Sequence, residues 1–357
     1  MRVLLVGAAS SVHLLRWAEA LAGRGHEVHV ATQHAPLAGY GAGVVVHRLP
    51  HLGGAGYLLN RCALRRLVDR IGPDVVNAHY ASGYGTLAVR PAGAPLVLNV
   101  WGSDVYEFPD ATPLHRWLLR RNLRRADAVV STSEVMARRT ALVCPGLSPI
   151  TVVPFGVDTQ RFSARPVSKD ALVVGTVKAL APKYGIDILL RAFAGLSAGR
   201  TEAVRLRIVG DGPQRSELEQ LADDLGIKAR VDFVGAVPHH QVPQELNRLD
   251  VYVALSRTHS ESFGVAVIEA SACGLPVVVS EAGGLPEVVE RDCSGFIVPM
   301  EDSRAAAERI AELLADDALR ARMGAAGRER VVKRYSWDDC VDRLLEVYGN
   351  ALREMKR

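Results

Sequence analysis

The sequence predicts an α/β protein built of two doubly wound parallel-sheet domains that face each other across a cleft. Short β-branched runs alternate with longer helical patterns along the 357 residues, which is typical of a parallel sheet with helices on both faces. Several runs are apolar almost throughout, as fully covered strands should be. The alternation restarts after a polar stretch at 155–170, which Gly and Pro punctuate and which we interpret as a linker. In such an architecture we expect the ligand in the cleft, beyond the carboxyl ends of the strands.

The first half is predicted to form seven strands separated by helices. The runs that predict the strands are RVLLVGA (2–8), EVHVAT (27–32), GVVVHRL (43–49), DVVNAHY (74–80), PLVLNVW (95–101), AVVSTS (128–133) and PITVVP (149–154). Helical periodicity covers 12–25 and 58–72, and the second pattern stops at Gly72-Pro73, a helix-ending pair.

The second half repeats the same alternation with six predicted strands. These are ALVVGTV (171–177), LRIVGD (206–211), RVDFVG (230–235), VYVALS (251–256), PVVVS (276–280) and GFIVP (295–299). The helical patterns between and after them cover 185–197, 214–226, 265–274 and 303–317. A last amphipathic helix is predicted over 334–357, with Ser336 as its cap. Its apolar face would contain Val341, Leu344, Leu345, Val347, Tyr348 and Leu352.

Composition and charge restrict the class of protein. The net charge of +4 is divided unevenly, because residues 1–160 hold 16 Arg and 10 acidic residues whereas residues 161–357 hold 27 basic and 29 acidic ones. A basic first half attracts anions, although solvated helix faces explain the same composition. We expect no nucleic-acid partner, since no zinc finger or other nucleic-acid motif is present.

The expected location is the cytoplasm. No apolar run approaches the ~18 residues that span a bilayer. The first residues, MRVLLVGAASS, are interpreted as a buried strand and not as a signal peptide. The 5 cysteines are scattered without a C-x-x-C pair, which disfavours a disulfide framework or a zinc site and fits a reducing compartment.

The segment SRTHSESFGVAVIEASACGLPV (256–277) carries two candidate ligand-binding carboxylates, Glu261 and Glu269. Ser262-Phe263-Gly264 precedes the predicted helix 265–274, whose first N–H groups and positive dipole end can receive an anion or a sugar hydroxyl. Glu269, in the first turns of that helix, can accept two hydrogen bonds from a vicinal diol such as a ribose, and Glu261 can accept from sugar hydroxyls. The alternative is a helix-cap acid and a surface acid.

A second candidate is the segment GTVKALAPKYGID (175–187), in which Lys178 and Lys183 flank an Ala-Pro turn between a strand and a helix. Two ammonium groups at a strand end can bind one diphosphate and stabilise it as a leaving group. The alternative is a pair of solvated loop lysines.

Taken in order, these segments resemble the retaining glycosyltransferases of family 4, which have the GT-B fold of two Rossmann-like domains. Lys178 and Lys183 resemble the family's Arg and Lys diphosphate pair, with Lys in place of the usual Arg, and the two glutamates match its signature. Other similar segments are SVHLLRWAEALAGRGHEVHVAT (11–32), WGSD (101–104), ADAVVSTS (126–133), VDTQRF (157–162), GDGPQRSEL (210–218), VDFVG (231–235), GGLPEVV (283–289) and SGFIV (294–298).

The resemblance implies transfer of a sugar, with retention of configuration, from a nucleoside-diphosphate sugar to a hydroxyl acceptor. The acceptor classes are a glycan, a lipid-linked molecule or a small molecule. We expect no metal and no cofactor: the sequence lacks a D-x-D triplet, and Lys178, Lys183 and the N–H groups at Phe263-Gly264 would supply the positive charge instead. The expected domains are 1–160 on the acceptor side and 161–335 on the donor side, with the last helix, 336–357, packing back on the first domain.

The acceptor and sugar side would lie in the first half. The family often has His at the position of Trp101, and Trp101 would either stack on a sugar ring or fill the core at a strand end. Asp104 and Ser103 of the same motif are retained. His13 and His79 follow or end predicted strands and are further candidates, with a hydrogen-bonded structural histidine as the alternative for each.

The segment TPLHRWLLRRNLRRAD (112–127) is a candidate for peripheral contact with the inner membrane surface. On a helix, its leucines and Trp117 would form an apolar stripe flanked by Arg116, Arg120, Arg121, Arg124 and Arg125, with Arg90 joining them if it faces the same way. An ordinary domain helix with its arginines in water is the alternative.

Two rival functions use the same donor. A nucleotide-sugar 2-epimerase would need acid and base residues but no acceptor, and a non-catalytic nucleotide-sugar-binding protein would need neither. A nicotinamide-dependent oxidoreductase is disfavoured, because GAASSV (7–12) lacks the G-x-G-x-x-G pattern.

Overall fold

The computed structural model describes residues 1–91, 93–165, 167–168, 170–196, 204–258 and 261–355. The chain divides into two compact units: unit 1 comprises Met1–Phe155 and Asp338–Arg357, and unit 2 comprises Gly156–Trp337. Some predicted positions lie outside the described residues: 166 and 169 of the linker, 197 at a helix end, 259 and 260 before Glu261, and 356–357 of the last helix.

Unit 1 is built on a seven-stranded sheet in the part of the chain that is described. Its strands lie in the order β3-β2-β1-β4-β5-β6-β7, and every pair is parallel. They are β1 (Arg2–Val6), β2 (Glu27–Thr32), β3 (Val44–Arg48), β4 (Val75–His79), β5 (Leu96–Val100), β6 (Ala128–Ser131) and β7 (Thr151–Val152).

The helices of unit 1 up to residue 143 connect these strands. They are α1 (Val12–Gly23), α2 (Gly56–Leu59), α3 (Arg61–Ile71), α4 (Gly83–Leu87), α5 (Ser103–Tyr106), α6 (Phe108–Ala111), α7 (Pro113–Arg124) and α8 (Glu134–Val143). The helix predicted at 58–72 is interrupted at Asn60, whose side-chain amide donates to the carbonyl oxygen of Pro50 at 2.7 Å and to Oε1 of Gln33 at 3.1 Å. These bonds hold the chain in a bend that apolar periodicity does not reveal.

Unit 2 repeats the plan with a six-stranded parallel sheet among its described residues, in the order β10-β9-β8-β11-β12-β13. Its strands are β8 (Leu172–Val177), β9 (Val204–Val209), β10 (Val231–Gly235), β11 (Val251–Ala254), β12 (Val277–Ser280) and β13 (Gly295–Val298). Its helices are α9 (Ile186–Ala194), α10 (Arg215–Asp224), α11 (Val242–Leu246), α12 (Val265–Ala272), α13 (Leu285–Val288), α14 (Ser303–Ala315) and α15 (Asp317–Tyr335).

The predicted fold class, two doubly wound parallel-sheet domains, is confirmed. Every residue of β4, β5, β11 and β12 is buried, as expected for strands covered by helices on both faces. Each unit has its own apolar core, centred on residues such as Leu4 and Leu98 in unit 1 and Ile208 and Val253 in unit 2. The order of strands reverses beside β1 in unit 1 and beside β8 in unit 2, which is where this architecture binds ligands.

The last helix, α16 (Trp337–Met355), is counted with unit 1 from Asp338 onward. Arg24 donates to Asp342 at 3.2 Å and to Asp338 at 3.0 Å, which ties the beginning of α16 to the end of α1. Its buried face contains Cys340, Val341, Leu344, Val347, Tyr348 and Ala351, while Leu345 and Leu352 are half-buried.

Helix α7 presents its apolar side chains on two faces and not on the single predicted stripe. Leu119 and Leu123 are fully buried, whereas Leu114 and Trp117 are 68% and 55% exposed. Arg90 was expected to join the arginines of this helix only if it faced the same way. Its Nη2 forms an ion pair with Oδ1 of Asp127 at 2.6 Å. Over the residues described, no helix combines the length and the apolarity needed to cross a bilayer.

Candidate functional site

The predicted donor residues of unit 2 lie beyond the carboxyl ends of β8 and β11, which are neighbours at the reversal point of the sheet. Lys178 directly follows β8, and Glu261 lies in the loop between β11 and α12. The topology therefore brings together two residues that are 83 positions apart in the sequence. This is the position at which doubly wound sheets bind nucleotides.

Lys178 and Glu261 form an ion pair. Nζ of Lys178 lies 2.9 Å from Oε2 of Glu261, and the two side chains are only 17% and 11% exposed. Ser256 donates to the same Oε2 at 3.0 Å. Burial lowers the pKa of the Lys178 ammonium, but the carboxylate of Glu261 together with Tyr252 and Tyr184 more than compensates, so that this pKa is raised above its ordinary value. Lys178 is thus held as a cation at physiological pH.

Lys183 lies in a short turn, Pro182–Tyr184, that precedes α9. The ammonium groups of Lys178 and Lys183 lie 4.4 and 5.0 Å from the ring centroid of Tyr184, so the aromatic ring is a common contact of the two cations. The turn is closed by Gly185, whose φ of +62° and whose close approach to the carbonyl oxygen of Leu255 leave no room for a Cβ.

Arg257 holds this turn against the loop that follows β11. Its backbone N–H donates to the carbonyl oxygen of Lys183 at 2.9 Å, and its guanidinium binds Asp187 at 2.8 Å and Glu301 at 2.7 Å. The position of Lys183 is therefore fixed through its backbone, and its side chain is exposed.

The segment Ser262-Phe263-Gly264 leads into α12 as predicted. Phe263 is buried and its ring packs edge-on against Tyr335 at 5.6 Å, so this side chain anchors the loop. Gly264 has a φ of +95°, and a Cβ there would lie 2.8 Å from Cδ2 of Leu285. The N–H groups at the beginning of a helix can receive an anion, and in α12 that of Val267 donates to the carbonyl oxygen of Gly264 at 3.0 Å.

Glu269 of α12 is only 6% exposed and pairs with a residue that the sequence analysis did not select, His239. Nε2 of His239 lies 2.8 Å from Oε1 of Glu269, which leaves Oε2 to accept from a ligand. The ring of His239 also contacts Phe162 at 5.6 Å. Glu269 is therefore a buried, oriented carboxylate and not a surface acid.

Sequence reasoning also missed Ser256, Arg257 and Tyr184 as parts of this site. Ser256 and Arg257 follow β11 with only Leu255 between, and Tyr184 follows Lys183, so strand-end position was a usable signal for all three. For His239 the signal was the pair of histidines after β10 in VPHHQVP (237–243), also beyond a strand end.

In unit 1 the predicted acceptor-side residues form an aromatic cluster beyond the carboxyl ends of β4 and β5. Trp101 is 8% exposed and contacts the rings of His13, His79, Tyr80 and Phe155, at centroid distances between 4.8 and 6.0 Å. His13 stacks on Phe155 at 4.2 Å. Both interpretations of Trp101, a core residue at a strand end and a platform for a sugar ring, fit this position.

His79 is 1% exposed, and within the described chain neither ring nitrogen has a hydrogen-bond partner. Burial lowers its pKa from 6.5 to about 3, so the imidazole is neutral at physiological pH. The expected structural alternative, a hydrogen-bonded histidine, therefore does not describe His79. A neutral imidazole with two unused nitrogens can still donate one hydrogen bond and accept another.

Asp104 is buried and its carboxylate binds three backbone N–H groups, those of Ala81, Gly102 and Trp101, at 2.9, 2.8 and 3.1 Å. Burial raises its pKa, and these hydrogen bonds oppose the rise. The carboxylate joins the loops that follow β4 and β5, and one of its bonds is to the backbone of Trp101.

Comparison with known families matches both halves of the chain. Residues 158–330 match the family model described as Glycosyl transferases group 1. Residues 2–133 match the model described as Glycosyl transferase 4-like. The resemblance stated from the motifs is thereby confirmed.

Individual relatives agree with the family models. A protein of Mycolicibacterium smegmatis named GDP-mannose-dependent alpha-(1-6)-phosphatidylinositol monomannoside mannosyltransferase is 33% identical over 278 residues, covering 74% of this chain and 72% of its own. A D-inositol 3-phosphate glycosyltransferase of Xylanimonas cellulosilytica is 32% identical, covering 96% of this chain and 92% of its own. The crystal structure of Anabaena HepE in complex with UDP has a TM-score of 0.83 at 22% identity, covering 98% and 100% of the two chains.

Proposed function

This chain belongs to the glycosyl transferases group 1 family, and we propose that it moves a sugar from a nucleoside-diphosphate sugar to a hydroxyl acceptor, with retention of configuration and without a metal ion or cofactor. That it is a glycosyltransferase follows from its relatives, which carry that activity in their names. The observation that carries the finer proposal is the buried Lys178–Glu261 pair beside Lys183 at the reversal point of the unit 2 sheet.

The two lysines would stabilise the leaving group. Cleavage of the bond between the anomeric carbon and the phosphate oxygen places its electron pair on the nucleoside diphosphate. Fixed cations lower the barrier most where this negative charge develops. Lys178 is held charged by Glu261, and Lys183 is held by its backbone, so neither needs to reorganise when the bond breaks.

The nucleotide would bind along α12. Its diphosphate would meet the lysines and the N–H groups at Phe263 and Gly264, and the free Oε2 of Glu269 would accept from the ribose hydroxyls. Relatives named as GDP-mannose-dependent and a neighbour crystallised with UDP support a nucleoside-diphosphate sugar as the donor class.

Retention is explained if the acceptor approaches from the side of the leaving group. The acceptor hydroxyl would form the new bond to the anomeric carbon while its proton passes to the departing phosphate oxygen. No enzyme nucleophile is then required. Glu261 would hold hydroxyls of the donor sugar through the oxygen that does not face Lys178.

The acceptor would be bound through unit 1, where His13, His79 and Trp101 gather beyond the strand ends. The printed names of the relatives describe phosphatidylinositol-based and inositol phosphate acceptors, which supports a lipid-linked or small polyol acceptor here. For a lipid-linked acceptor we propose a cytoplasmic enzyme in peripheral contact with the inner membrane through the segment 112–127, where Leu114 and Trp117 are exposed.

The test is product analysis with candidate nucleotide sugars, with and without an acceptor pool. Release of nucleoside diphosphate that depends on the acceptor, together with a product of the donor's anomeric configuration, is the expected result. Release of an inverted product would contradict retention. A 2-epimer formed without acceptor would identify the isomerase, and binding without turnover of any donor would leave a sugar-nucleotide-binding protein.

A further inference from the structure

Unit 1 contains a cavity of about 630 Å³ that the proposed transfer reaction does not use. It is lined by α6, α7 and the residue after α7, and five of its lining residues are arginines. They are Arg116, Arg120, Arg121, Arg124 and Arg125. A volume of this size accommodates a small organic molecule.

The positive charge of this cavity is not balanced by its own lining. Asp110 is the acidic residue among the lining residues, and it already binds Arg116 at 2.8 Å and Arg139 at 2.5 Å. One carboxylate is therefore shared between two guanidinium groups. The remaining four lining arginines carry their charge toward the cavity without a lining carboxylate of their own.

Arg121 is the least satisfied of these side chains. Its Nε and Nη2 atoms are buried and have no hydrogen-bond partner in the described part of the chain. By contrast, the neighbouring Arg120 has a partner: its Nε donates to the carbonyl oxygen of Val143 at 2.6 Å. Cζ of Arg121 lies over the ring of Trp117, 5.4 Å from its centroid. Leaving buried guanidinium nitrogens unpaired is unfavourable, so the folded protein gains if a ligand supplies acceptors.

Repulsion between cations supports the same conclusion. Burial lowers the pKa of the Arg125 guanidinium, and the charges of Arg61 and Arg121 lower it further. The pKa of Arg61 is lowered in the same way, by burial and by Arg121. Arg61 belongs to α3 and does not line the cavity, but Arg121 and Arg125 both do, and their charges are close enough to other guanidinium groups to be repelled. An anion among them would remove this repulsion.

We propose that this cavity binds a phosphate group. Planar guanidinium groups match phosphate oxygens through two parallel hydrogen bonds, which no single ammonium can do. Trp117, which lines the cavity and is 55% exposed, offers an apolar contact to the carbon skeleton that bears the phosphate. The phosphate belongs either to a free phosphate ester or to a lipid headgroup.

The free-ester source is tested by calorimetric titration with glycerol 3-phosphate and with inorganic phosphate at constant ionic strength. The titrations use the Lys178→Ala variant, so that phosphate binding at the proposed donor site is weakened and is the same in every variant compared. Arg121→Gln in this background should weaken binding by about tenfold, the usual effect of losing a charge-assisted hydrogen bond. Arg121→Lys should restore the affinity only in part, because it keeps the charge but loses the planar fork.

Arg70→Gln is the matched control, since Arg70 is an exposed arginine at the end of α3 that does not line the cavity. It should leave the affinity unchanged. The melting temperature without ligand separates a binding role from a structural one. If Arg121 awaits a ligand, Arg121→Gln should keep or raise this temperature, because it removes an unpaired buried charge. A clear fall would assign Arg121 to the fold and contradict the proposal.

The lipid source is tested by cosedimentation with vesicles of phosphatidylcholine alone and of phosphatidylcholine mixed with phosphatidylglycerol. Anionic vesicles that retain wild type and Arg70→Gln but not Arg121→Gln would identify a headgroup site. Binding of glycerol 3-phosphate without vesicle binding would identify a free ester. If neither ligand distinguishes Arg121→Gln from Arg70→Gln, the cavity does not bind phosphate.

Discussion

The two candidate carboxylates of unit 2 differ from two buried side chains of unit 1 in whether they have polar partners. In unit 2 each candidate carboxylate already has a cationic or hydrogen-bonding partner: Glu261 has Lys178, and Glu269 has His239. In unit 1 the imidazole of His79 and two guanidinium nitrogens of Arg121 are buried without hydrogen-bond partners among the described residues. The two candidate carboxylates of unit 2 are thus already paired, whereas His79 and Arg121 of unit 1 retain unused hydrogen-bonding groups.

This difference suits two kinds of binding. A leaving diphosphate requires charges that are fixed before the bond breaks, because reorganisation at that moment raises the barrier. An acceptor or a phosphate ester needs polar groups that gain partners only when it binds. The following variants test this division.

The largest effect is expected at the lysines. Lys178→Ala and Lys183→Ala should each lower the rate of transfer by roughly 10²-fold or more, because each removes a cation from the leaving diphosphate. Steady-state rates at saturating donor measure this. Lys178→Ala also leaves Glu261 unpaired, so the Lys178→Ala/Glu261→Ala double variant is needed to show that the loss is not one of folding. Transfer at the wild-type rate in Lys183→Ala would remove this residue from the mechanism.

The two glutamates should separate by what they bind. Glu269→Ala should weaken binding of the free nucleoside diphosphate about tenfold or more, since it removes a charged acceptor for the ribose diol. Glu261→Ala should leave that affinity nearly unchanged and reduce turnover. His239→Ala, which removes only the residue that orients Glu269, should weaken nucleotide binding less than Glu269→Ala. Equal nucleotide affinity in all these variants and the wild type would falsify the assignment.

His79 should make unit 1 sensitive to acid. The unfolded chain binds a proton at this side chain with a pKa near 6.5, whereas the folded chain binds it only near 3, so stability should fall as the pH falls through that window. The full effect is of order 4 kcal/mol. His79→Phe should flatten the acid side of the stability curve, measured by denaturant unfolding at a series of pH values. The same change at exposed His51 should not, and an unaltered slope in His79→Phe would show that His79 is not the buried neutral group.

The smallest effect is a shift in the alkaline limit of activity. Burial lowers the pKa of Lys178, and among the groups that raise it the Glu261 carboxylate comes first, so Glu261→Gln removes the main opposition to burial. The alkaline limb of the pH–rate profile should then move to lower pH by about one unit. Glu269→Gln, which changes the carboxylate that pairs with His239, should leave the alkaline limb unmoved. An unmoved limb in Glu261→Gln would mean that the ion pair does not set the charge of Lys178.

The strands of both units were predictable because each is an apolar β-branched run bounded by polar loops. The predicted runs extended past the sheet at residues such as Gly7, Tyr80 and Trp101, which turn into the ligand-facing loops instead. Helices α8 and α15 were missed. The 19 residues of α15 contain few apolar positions and two glycines, Gly324 and Gly327, which pack closely on other chain segments, so their periodicity is weak.

For the site, the sequence predicted candidate residues in unit 2 but not how they pair. The Lys178–Glu261 contact depends on β8 and β11 being neighbours, and only the strand order specifies that. The same holds in unit 1: the arginines from Arg116 to Arg125 were visible as a basic helix, but whether their charges face water or a cavity depends on the packing of α6 beside them. Both arrangements depend on packing between separate elements, and local sequence patterns carry no information about such packing.

The central claim, that fixed lysines of unit 2 replace a metal ion in glycosyl transfer, is tested most directly by one rate. Acceptor-dependent release of nucleoside diphosphate is measured with protein treated with EDTA, and again after addition of Mg²⁺ or Mn²⁺. Equal rates in the three conditions are predicted, with the loss in Lys183→Ala unaffected by added metal. Activity that disappears in EDTA and returns with Mg²⁺ or Mn²⁺ would contradict the account.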